Sequence, residues 1–164
     1  MKKKKILVTG GCGYIGSHTV VSLIESGFEV VVVDDLSNSN EFILDNIKKI
    51  TGIKPLFIKC DLKDFNDTEN IISYNKDVDA VIHFAAYKAV GESVTQPLKY
   101  YQNNLFSLVN ILLVQEKYSI NNFIFSSSAT VYGNPKILPI TEENETQRPF
   151  SPYGNTKKIA EEIL

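Results

Sequence analysis

The 164-residue sequence has no tryptophan, one methionine and two cysteines, and its formal net charge at pH 7 is only −2. Two cysteines do not indicate a disulfide scaffold, and so small a net charge gives no strong attraction to nucleic acid or to an anionic membrane. No apolar run approaches the roughly 20 residues that a transmembrane helix needs. Hydrophobic residues at 43% and charged residues at 22% are typical of one globular domain.

Charge of one sign is concentrated only in the four lysines at positions 2–5. The apolar segment that follows, Ile6 to Val8, is too short for the hydrophobic region of a signal peptide. We therefore interpret the lysines as a solvated approach to a strand. A cytoplasmic protein that binds neither nucleic acid nor membrane is expected.

Short apolar runs alternate with helical patterns along the chain. Strands are predicted at 6–8, 30–33, 56–58, 80–84 and 123–125. Helices are predicted at 14–26, 41–50, 68–74 and 97–117, and a last one begins at Ser151 and Pro152. The alternation predicts an α/β protein with a doubly wound parallel sheet, the Rossmann fold, with five strands present in the spatial order 3-2-1-4-5.

The two cysteines are predicted to remain unpaired. Cys12 follows the first strand and Cys60 the third, with the second strand between them. Two inter-strand steps of ~4.8 Å separate them by more than the ~7 Å between Cα atoms that a disulfide allows.

Three glycines follow the first strand directly. Gly10, Gly13 and Gly16 form the pattern G-x-x-G-x-x-G at the start of the first helix. Glycines permit a tight turn and a close backbone approach, and the helix N-terminus offers free N–H groups to a pyrophosphate. The pattern in this strand-to-helix context predicts a dinucleotide site. The alternative is a capping turn without a ligand.

An acidic residue ends the second strand. Asp34 stands eighteen positions after Gly16, where a carboxylate can accept hydrogen bonds from the adenine ribose and repel a 2′-phosphate. It therefore favours NAD over NADP. The alternative is a solvated turn residue beside Asp35.

A tyrosine and a lysine open the last helix. Tyr153 and Lys157 are four residues apart, which places them on one helix face. A tyrosine hydroxyl is a weak base because its reference pKa is ~10, but a neighbouring ammonium and a helix N-terminus both favour the phenolate. In a chain with a dinucleotide site, the pair predicts removal of a proton from a substrate alcohol as hydride leaves its carbon.

These motifs resemble those of the extended short-chain dehydrogenase/reductase family, and the resemblance extends over essentially the whole chain. Three stretches are similar to the UDP-glucose 4-epimerases within it: GCGYIGSHT at 11–19, KAVGESV at 88–94 and FIFSSSATVYG at 123–133. Related 4,6-dehydratases carry an Asp-Glu pair beside the catalytic threonine, whereas Ala129 and Val131 flank Thr130 here. The resemblance therefore implies epimerisation rather than dehydration.

The resemblance also implies functional residues. The catalytic group would be Tyr153, Lys157 and Ser128, with the serine hydrogen-bonded to the reacting oxygen. The implied NAD contacts are Gly10, Gly13, Tyr14, Ile15, Gly16, Asp34, Asp35, Asn38, Ser39, Asp61, Leu62, Phe84, Ala85, Lys88, Asn103, Tyr153 and Lys157. Asp35 departs from the asparagine usual in the family. His18 and His83 lack ligand-spaced partners and are expected to be structural, so no metal site is predicted.

The implied reaction interconverts UDP-glucose and UDP-galactose with NAD as a retained cofactor. Family members are about twice as long, and Leu164 falls inside a helical pattern. We therefore expect 1–164 to be an incomplete NAD-binding domain without its C-terminal substrate-binding part, inactive alone and doubtful as a homodimer. Two alternatives remain open: an epimerase for a uronic or N-acetylated UDP-sugar, and a non-catalytic dinucleotide-binding module.

Overall fold

Residues 3–164 are described by a computed structural model of the chain. One sheet contains β1 (Lys5–Thr9), β2 (Glu29–Asp34), β3 (Leu56–Lys59), β4 (Ala80–His83) and β5 (Phe123–Phe125). The strands lie in the order β3-β2-β1-β4-β5, and every neighbouring pair is parallel. The predicted fold class and spatial order are confirmed.

Six α-helices and one 3-10 helix accompany the sheet among residues 3–164. They are α1 (Tyr14–Glu25), α2 (Phe42–Thr51), α3 (Phe65–Tyr74), α4 (Val90–Thr95), α5 (Pro97–Lys117), the 3-10 helix (Ala129–Tyr132) and α6 (Pro152–Ile163). Neither α4 nor the 3-10 helix was predicted from the sequence. Helix α3 begins before residue 68, because the Asp64 carboxylate accepts a hydrogen bond from the Asp67 N–H at 3.0 Å and caps the helix there.

The chain divides into two compact units. The first contains the described residues up to Ala85 together with Val109–Ser126, and the second contains Ala86–Leu108 and Ser127–Leu164. All five strands belong to the first unit.

The core of the first unit has two layers because successive side chains of a strand point to opposite faces. In β2, Val31 and Val33 belong to one buried cluster, which also contains residues of α3 and α5. Val30 and Val32 belong to the other, with residues of α1 and α2. A strand covered on both faces needs apolar residues at every position, which explains the continuous valine run.

The sheet has two edge strands, β3 and β5. At one edge β5 has the sequence FIF, and 58% of Ile124 is exposed. Strand β3 ends in a lysine, Lys59. Both cysteines are free and buried, as the strand order predicts.

In the second unit, α6 packs against both α4 and the 3-10 helix. Helix α6 begins where the sequence predicts: the Ser151 hydroxyl accepts a hydrogen bond from the Gly154 N–H at 3.1 Å, and Pro152 occupies the first turn. Within residues 3–164, no helix is both long and apolar enough to cross a membrane.

Candidate active site

The glycine turn in the first unit leaves no room for side chains at two positions. Gly10 has a φ of +67°, and a Cβ atom there would lie 2.8 Å from the Ala85 nitrogen. A Cβ on Gly16 would lie only 2.2 Å from the carbonyl oxygen of Gly10. The start of α1 therefore lies directly against the end of β1. Gly13, the residue before the helix, provides no side-chain cap, so the first N–H groups of α1 are suited to an anionic ligand.

The carboxylate of Asp34 is fixed by the protein itself. One oxygen accepts a hydrogen bond from the Cys12 N–H at 3.0 Å. The other accepts from the Leu36 N–H at 2.9 Å and from the Ser39 hydroxyl at 2.7 Å. The side chain is buried. Asp34 thus connects the glycine turn to the loop after β2, and it retains lone-pair capacity for a ribose hydroxyl.

An open cleft of about 460 Å³ lies beside this turn. Four predicted residues line it: Gly13, Tyr14, Asn38 and Ser39. Its other lining residues were not predicted as ligand contacts; they are Cys12, Ser17, His18, Asn40, Phe42 and Ile43. His18 was predicted to be structural, and its Nδ1 lies 2.8 Å from the Tyr14 carbonyl oxygen.

The remaining predicted residues of the first unit lie at strand ends or at the start of α1. Ile15 is largely exposed there. Asp35 accepts a hydrogen bond from the Ser37 N–H at 2.8 Å, and Asp61 accepts one from the Lys63 N–H at 3.0 Å. Phe84 and Ala85 follow β4 directly. The Leu62 side chain is packed in the core, so any ligand contact by this residue falls to its backbone.

His83 is buried within β4, and its Nδ1 lies 2.9 Å from the Thr9 hydroxyl. In the portion of the chain that the structure describes, no three histidine, cysteine or acidic side chains are grouped to hold a metal ion.

Ser128 precedes the 3-10 helix of the second unit and caps it. Its hydroxyl oxygen accepts hydrogen bonds from the Thr130 hydroxyl at 2.9 Å and from the Thr130 N–H at 3.3 Å. A hydroxyl has two acceptor lone pairs and one proton. Because Thr130 occupies the lone pairs, Ser128 is left with its proton to donate to an oxygen of a ligand.

The tyrosine and the lysine of α6 are both buried, with 9% of Tyr153 and 5% of Lys157 exposed. Burial lowers the pKa of Lys157 from 10.5 to about 8, because a low-dielectric environment disfavours the ammonium. The amine is still mainly protonated at neutral pH. This region brings a buried cation and a phenol together on one helix.

Close packing joins the Ser128 segment to the start of α6. A Cβ atom on Gly154 would lie 3.1 Å from the Thr130 hydroxyl oxygen and 2.8 Å from Pro149 Cβ. Glycine beside Tyr153 therefore allows the 3-10 helix to contact α6. No role was predicted for Gly154, although a glycine inside a helix is unfavourable and indicates a packing requirement.

A buried amide supports the same helix. Asn104 donates to the Thr156 hydroxyl at 3.0 Å and to the Tyr87 carbonyl at 3.0 Å, and it accepts from the Tyr87 N–H at 2.8 Å. Thr156 in turn donates to the Tyr153 carbonyl at 2.7 Å. Of the predicted residues nearby, Asn103 donates to the Asn104 side chain at 3.1 Å, and Lys88 is exposed in the segment after Tyr87.

Asn103 was predicted as a cofactor contact, whereas no role was predicted for Asn104. Two consecutive asparagines within a long helix were the available signal, because asparagine is a poor helix former and needs a compensating contact.

The sheet, the glycine turn and its acid define a Rossmann-fold protein with the features of a dinucleotide site. Residues 7–164 match the family model described as GDP-mannose 4,6 dehydratase, and the chain belongs to this family.

The chain is also similar to UDP-glucose 4-epimerases. It is 51% identical to the one from Bacillus subtilis over 97% of its own length and 46% of the relative's. The structure of UDP-glucose 4-epimerase from Bifidobacterium longum in complex with NAD+ and UDP matches with a TM-score of 0.95 and 45% identity, over 98% of this chain and 48% of that one.

A UDP-N-acetylglucosamine 4-epimerase from Methanobrevibacter ruminantium M1 matches with a TM-score of 0.86 and 38% identity, over 100% of this chain and 50% of that one. The chain thus spans about half the length of the relatives it matches.

Proposed function

We propose that the chain is the cofactor-binding half of a UDP-glucose 4-epimerase, which interconverts UDP-glucose and UDP-galactose through a 4-keto sugar. The observation that carries this proposal is the buried Tyr153 and Lys157 pair, beside a Ser128 whose hydroxyl has a proton to donate. The similarity to UDP-glucose 4-epimerases supports the substrate class. Since Ala129 and Val131 flank Thr130, no acid is available there for a dehydration.

The glycine turn fits NAD, because Gly13 leaves the first N–H groups of α1 without a side-chain cap, and close backbone packing at Gly10 and Gly16 brings these groups to the end of β1. We assign the pyrophosphate to this turn and the adenine ribose to Asp34, with Asn38 and Ser39 beside it. When bound, NAD supplies a hydride acceptor and donor for C4 of the sugar. The other predicted contacts, Lys88 and Asn103 among them, belong to the same proposal.

Side chains of this chain remove and return the proton of the substrate. Tyr153 removes the proton of the sugar 4-hydroxyl, and Ser128 donates a hydrogen bond to the same oxygen. The Lys157 ammonium, on the same helix face, stabilises the phenolate because opposite charges attract more strongly in a buried environment. When the 4-keto sugar is reduced on its other face, Tyr153 returns the proton. Loss of hydride from C4 without removal of the hydroxyl proton cannot give a ketone. Tyr153 is therefore needed as a base whether UDP-glucose or UDP-galactose is the substrate.

The proposal includes a cytoplasmic protein of galactose metabolism that acts on UDP-sugars and binds neither membrane nor nucleic acid. As in the family, a homodimer would pair α5 with α6. The match to a UDP-N-acetylglucosamine 4-epimerase favours one second candidate, an epimerase for an N-acetylated UDP-sugar. Assays of the full-length protein with both kinds of UDP-sugar separate the two.

The test is Tyr153→Phe in the full-length protein that carries this chain. The phenylalanine ring preserves the packing and removes only the oxygen, so UDP-glucose 4-epimerisation should fall by roughly 10²–10⁴-fold, the usual contribution of a general base. NAD affinity, measured by calorimetry, should stay within about twofold because the ring remains in place.

Near-normal turnover by Tyr153→Phe would leave the assigned base without a role. No turnover of any UDP-sugar by the unmodified full-length protein would favour the non-catalytic dinucleotide-binding module. The 164-residue chain alone should bind no UDP-sugar productively, and epimerisation by it would contradict that part of the proposal.

A further inference from the structure

A side-chain contact connects the segment before the 3-10 helix to the far part of α6. The Ser127 hydroxyl donates a hydrogen bond to Oε1 of Glu161. Ser127 directly precedes Ser128, and Glu161 lies one turn beyond Lys157 and two turns beyond Tyr153. Spacings of four and eight residues place Glu161 on the helix face that carries the tyrosine and the lysine.

The segment 127–132 is therefore attached to α6 at two points. Near the helix start, Thr130 lies against Gly154, where a Cβ atom would come within 3.1 Å of its hydroxyl. Near the helix end, Ser127 is bound by Glu161. A single contact leaves a segment free to pivot, whereas two contacts separated by about 10 Å, the rise of seven helical residues, fix its direction along the helix.

Ser128 lies between these attachments, and its own hydroxyl is oriented by Thr130. We propose that Glu161 is a positioning residue, which acts through Ser127 to hold Ser128 at the place where it can share a substrate oxygen with Tyr153. This role rests on the proposed epimerase function, because it assigns Ser128 and Tyr153 to one reacting group.

The expected effect is moderate. A hydrogen bond to a charged carboxylate is stronger than a neutral one, but Glu161 is exposed and water competes for it. Small displacements of a catalytic group lower the rate steeply. We therefore expect Glu161→Ala to lower kcat by roughly 3- to 10-fold, with a change in KM of less than about twofold because Ser128 contributes mainly to the transition state.

The experiment uses the full-length protein, four single variants, and the double variant of Ser127→Ala and Glu161→Ala. Glu161→Ala and Ser127→Ala each remove one partner of the contact. Glu161→Gln keeps an acceptor oxygen and should recover most of the loss, within about twofold of the unmodified protein. Glu162→Ala is the matched control, since Glu162 is the neighbouring exposed glutamate of α6. The readouts are kcat, KM, and hydrogen exchange of the amides of 127–132.

The expected result is faster exchange in 127–132 and a lower kcat for Glu161→Ala and Ser127→Ala, with neither change in Glu162→Ala. The double variant should lose no more than either single variant, because both changes remove the same contact. Unchanged exchange in Glu161→Ala overturns the proposal, and so does faster exchange with an unchanged kcat. If the unmodified protein epimerises no UDP-sugar, the proposed function fails, and exchange alone then decides whether Glu161 holds the segment.

Discussion

The groups that would contact a ligand are of different kinds in the two units. In the first unit the important features are missing side chains and backbone groups: Gly10 and Gly16 have no space for a Cβ atom, and Asp34 is held largely by N–H donors. In the second unit they are buried ionisable side chains, Tyr153 and Lys157. Substitutions at the two glycines of the first unit should therefore act by filling space, and those at Tyr153 or Lys157 by removing an ionisable group.

The largest loss of stability and NAD affinity is expected for a substitution at Gly16. Gly16→Ala places a methyl group 2.2 Å from the Gly10 carbonyl, and backbone cannot yield as a flexible side chain can. The strain should cost at least the ~1–3 kcal/mol of core overpacking, and NAD affinity should fall by about 100-fold or more as the turn opens. Calorimetry and chemical denaturation measure both quantities.

Gly91→Ala is the control for that substitution, because a Cβ atom at Gly91 has no neighbour within 4 Å. It lies in α4, so alanine should leave stability unchanged or raise it slightly. Equal losses of NAD affinity and stability in Gly16→Ala and Gly91→Ala would show that close packing at Gly16 does not cause the effect.

In the second unit, Lys157→Met should change how stability depends on pH. The pKa of Lys157 is lowered from 10.5 to about 8 in the folded protein by burial. Between these two values the unfolded chain holds the proton that the folded chain has released, so the free energy of unfolding rises with pH. Below pH ~8 the burial cost is fully present. Methionine does not titrate, so the rise in unfolding free energy between pH 8 and 10.5, up to about 3 kcal/mol, should be absent in Lys157→Met.

The measurement is the difference in unfolding free energy between the unmodified protein and Lys157→Met from pH 7 to 10.5. A difference is needed because burial also raises the pKa of both cysteines and of Tyr100 to about 12, and these groups lower stability at high pH. Lys158→Met provides the matched control on α6. A difference that stays constant across this range would contradict a lowered pKa of Lys157 in the folded protein.

A smaller effect is expected for cofactor choice. Asp34→Ser removes the charge that repels a 2′-phosphate, so the ratio of NAD to NADP affinity should fall by about tenfold. Stability should also decrease, because the Cys12 and Leu36 N–H groups lose their acceptor. Asp67→Ser is the control, since Asp67 is an exposed aspartate of α3 that is not among the predicted cofactor contacts. An unchanged ratio in Asp34→Ser would assign the ribose to other residues.

The smallest expected effect concerns the reactivity of the two thiols. Cys12 and Cys60 are free and buried, and desolvation raises the pKa of each to about 12. A thiol reagent should therefore react slowly with the folded protein and should find two thiols after unfolding. Fewer than two in unmodified monomer would contradict the strand order.

Most of the fold was predictable because its signals are local. The valine run of β2 and the glycines after β1 stand in the sequence itself. Helix α4 was missed because it has six residues, and Ala89 before it offers no capping side chain. The 3-10 helix was missed because it has only four residues and because its capping residue, Ser128, was assigned to catalysis.

The candidate site was predictable where motif and backbone coincide, and less so where distant residues meet. Asp34 and the glycines follow from spacing alone. Asn104 and Thr156 are 52 positions apart, and Ser127 and Glu161 are 34 apart. Such pairs leave no periodic pattern in one sequence, because the tertiary contact decides their role.

The edges of the sheet have a consequence for how the protein behaves in concentrated solution. Edge strands expose hydrogen-bonding groups to any strand that approaches, and lysine is a common protection against such pairing. Strand β3 exposes Leu56 but ends in Lys59, whereas β5 exposes Ile124 and consists of three apolar residues without a charge. Self-association of the 164-residue chain should therefore begin at β5, and a charged residue in place of Ile124 should raise its solubility.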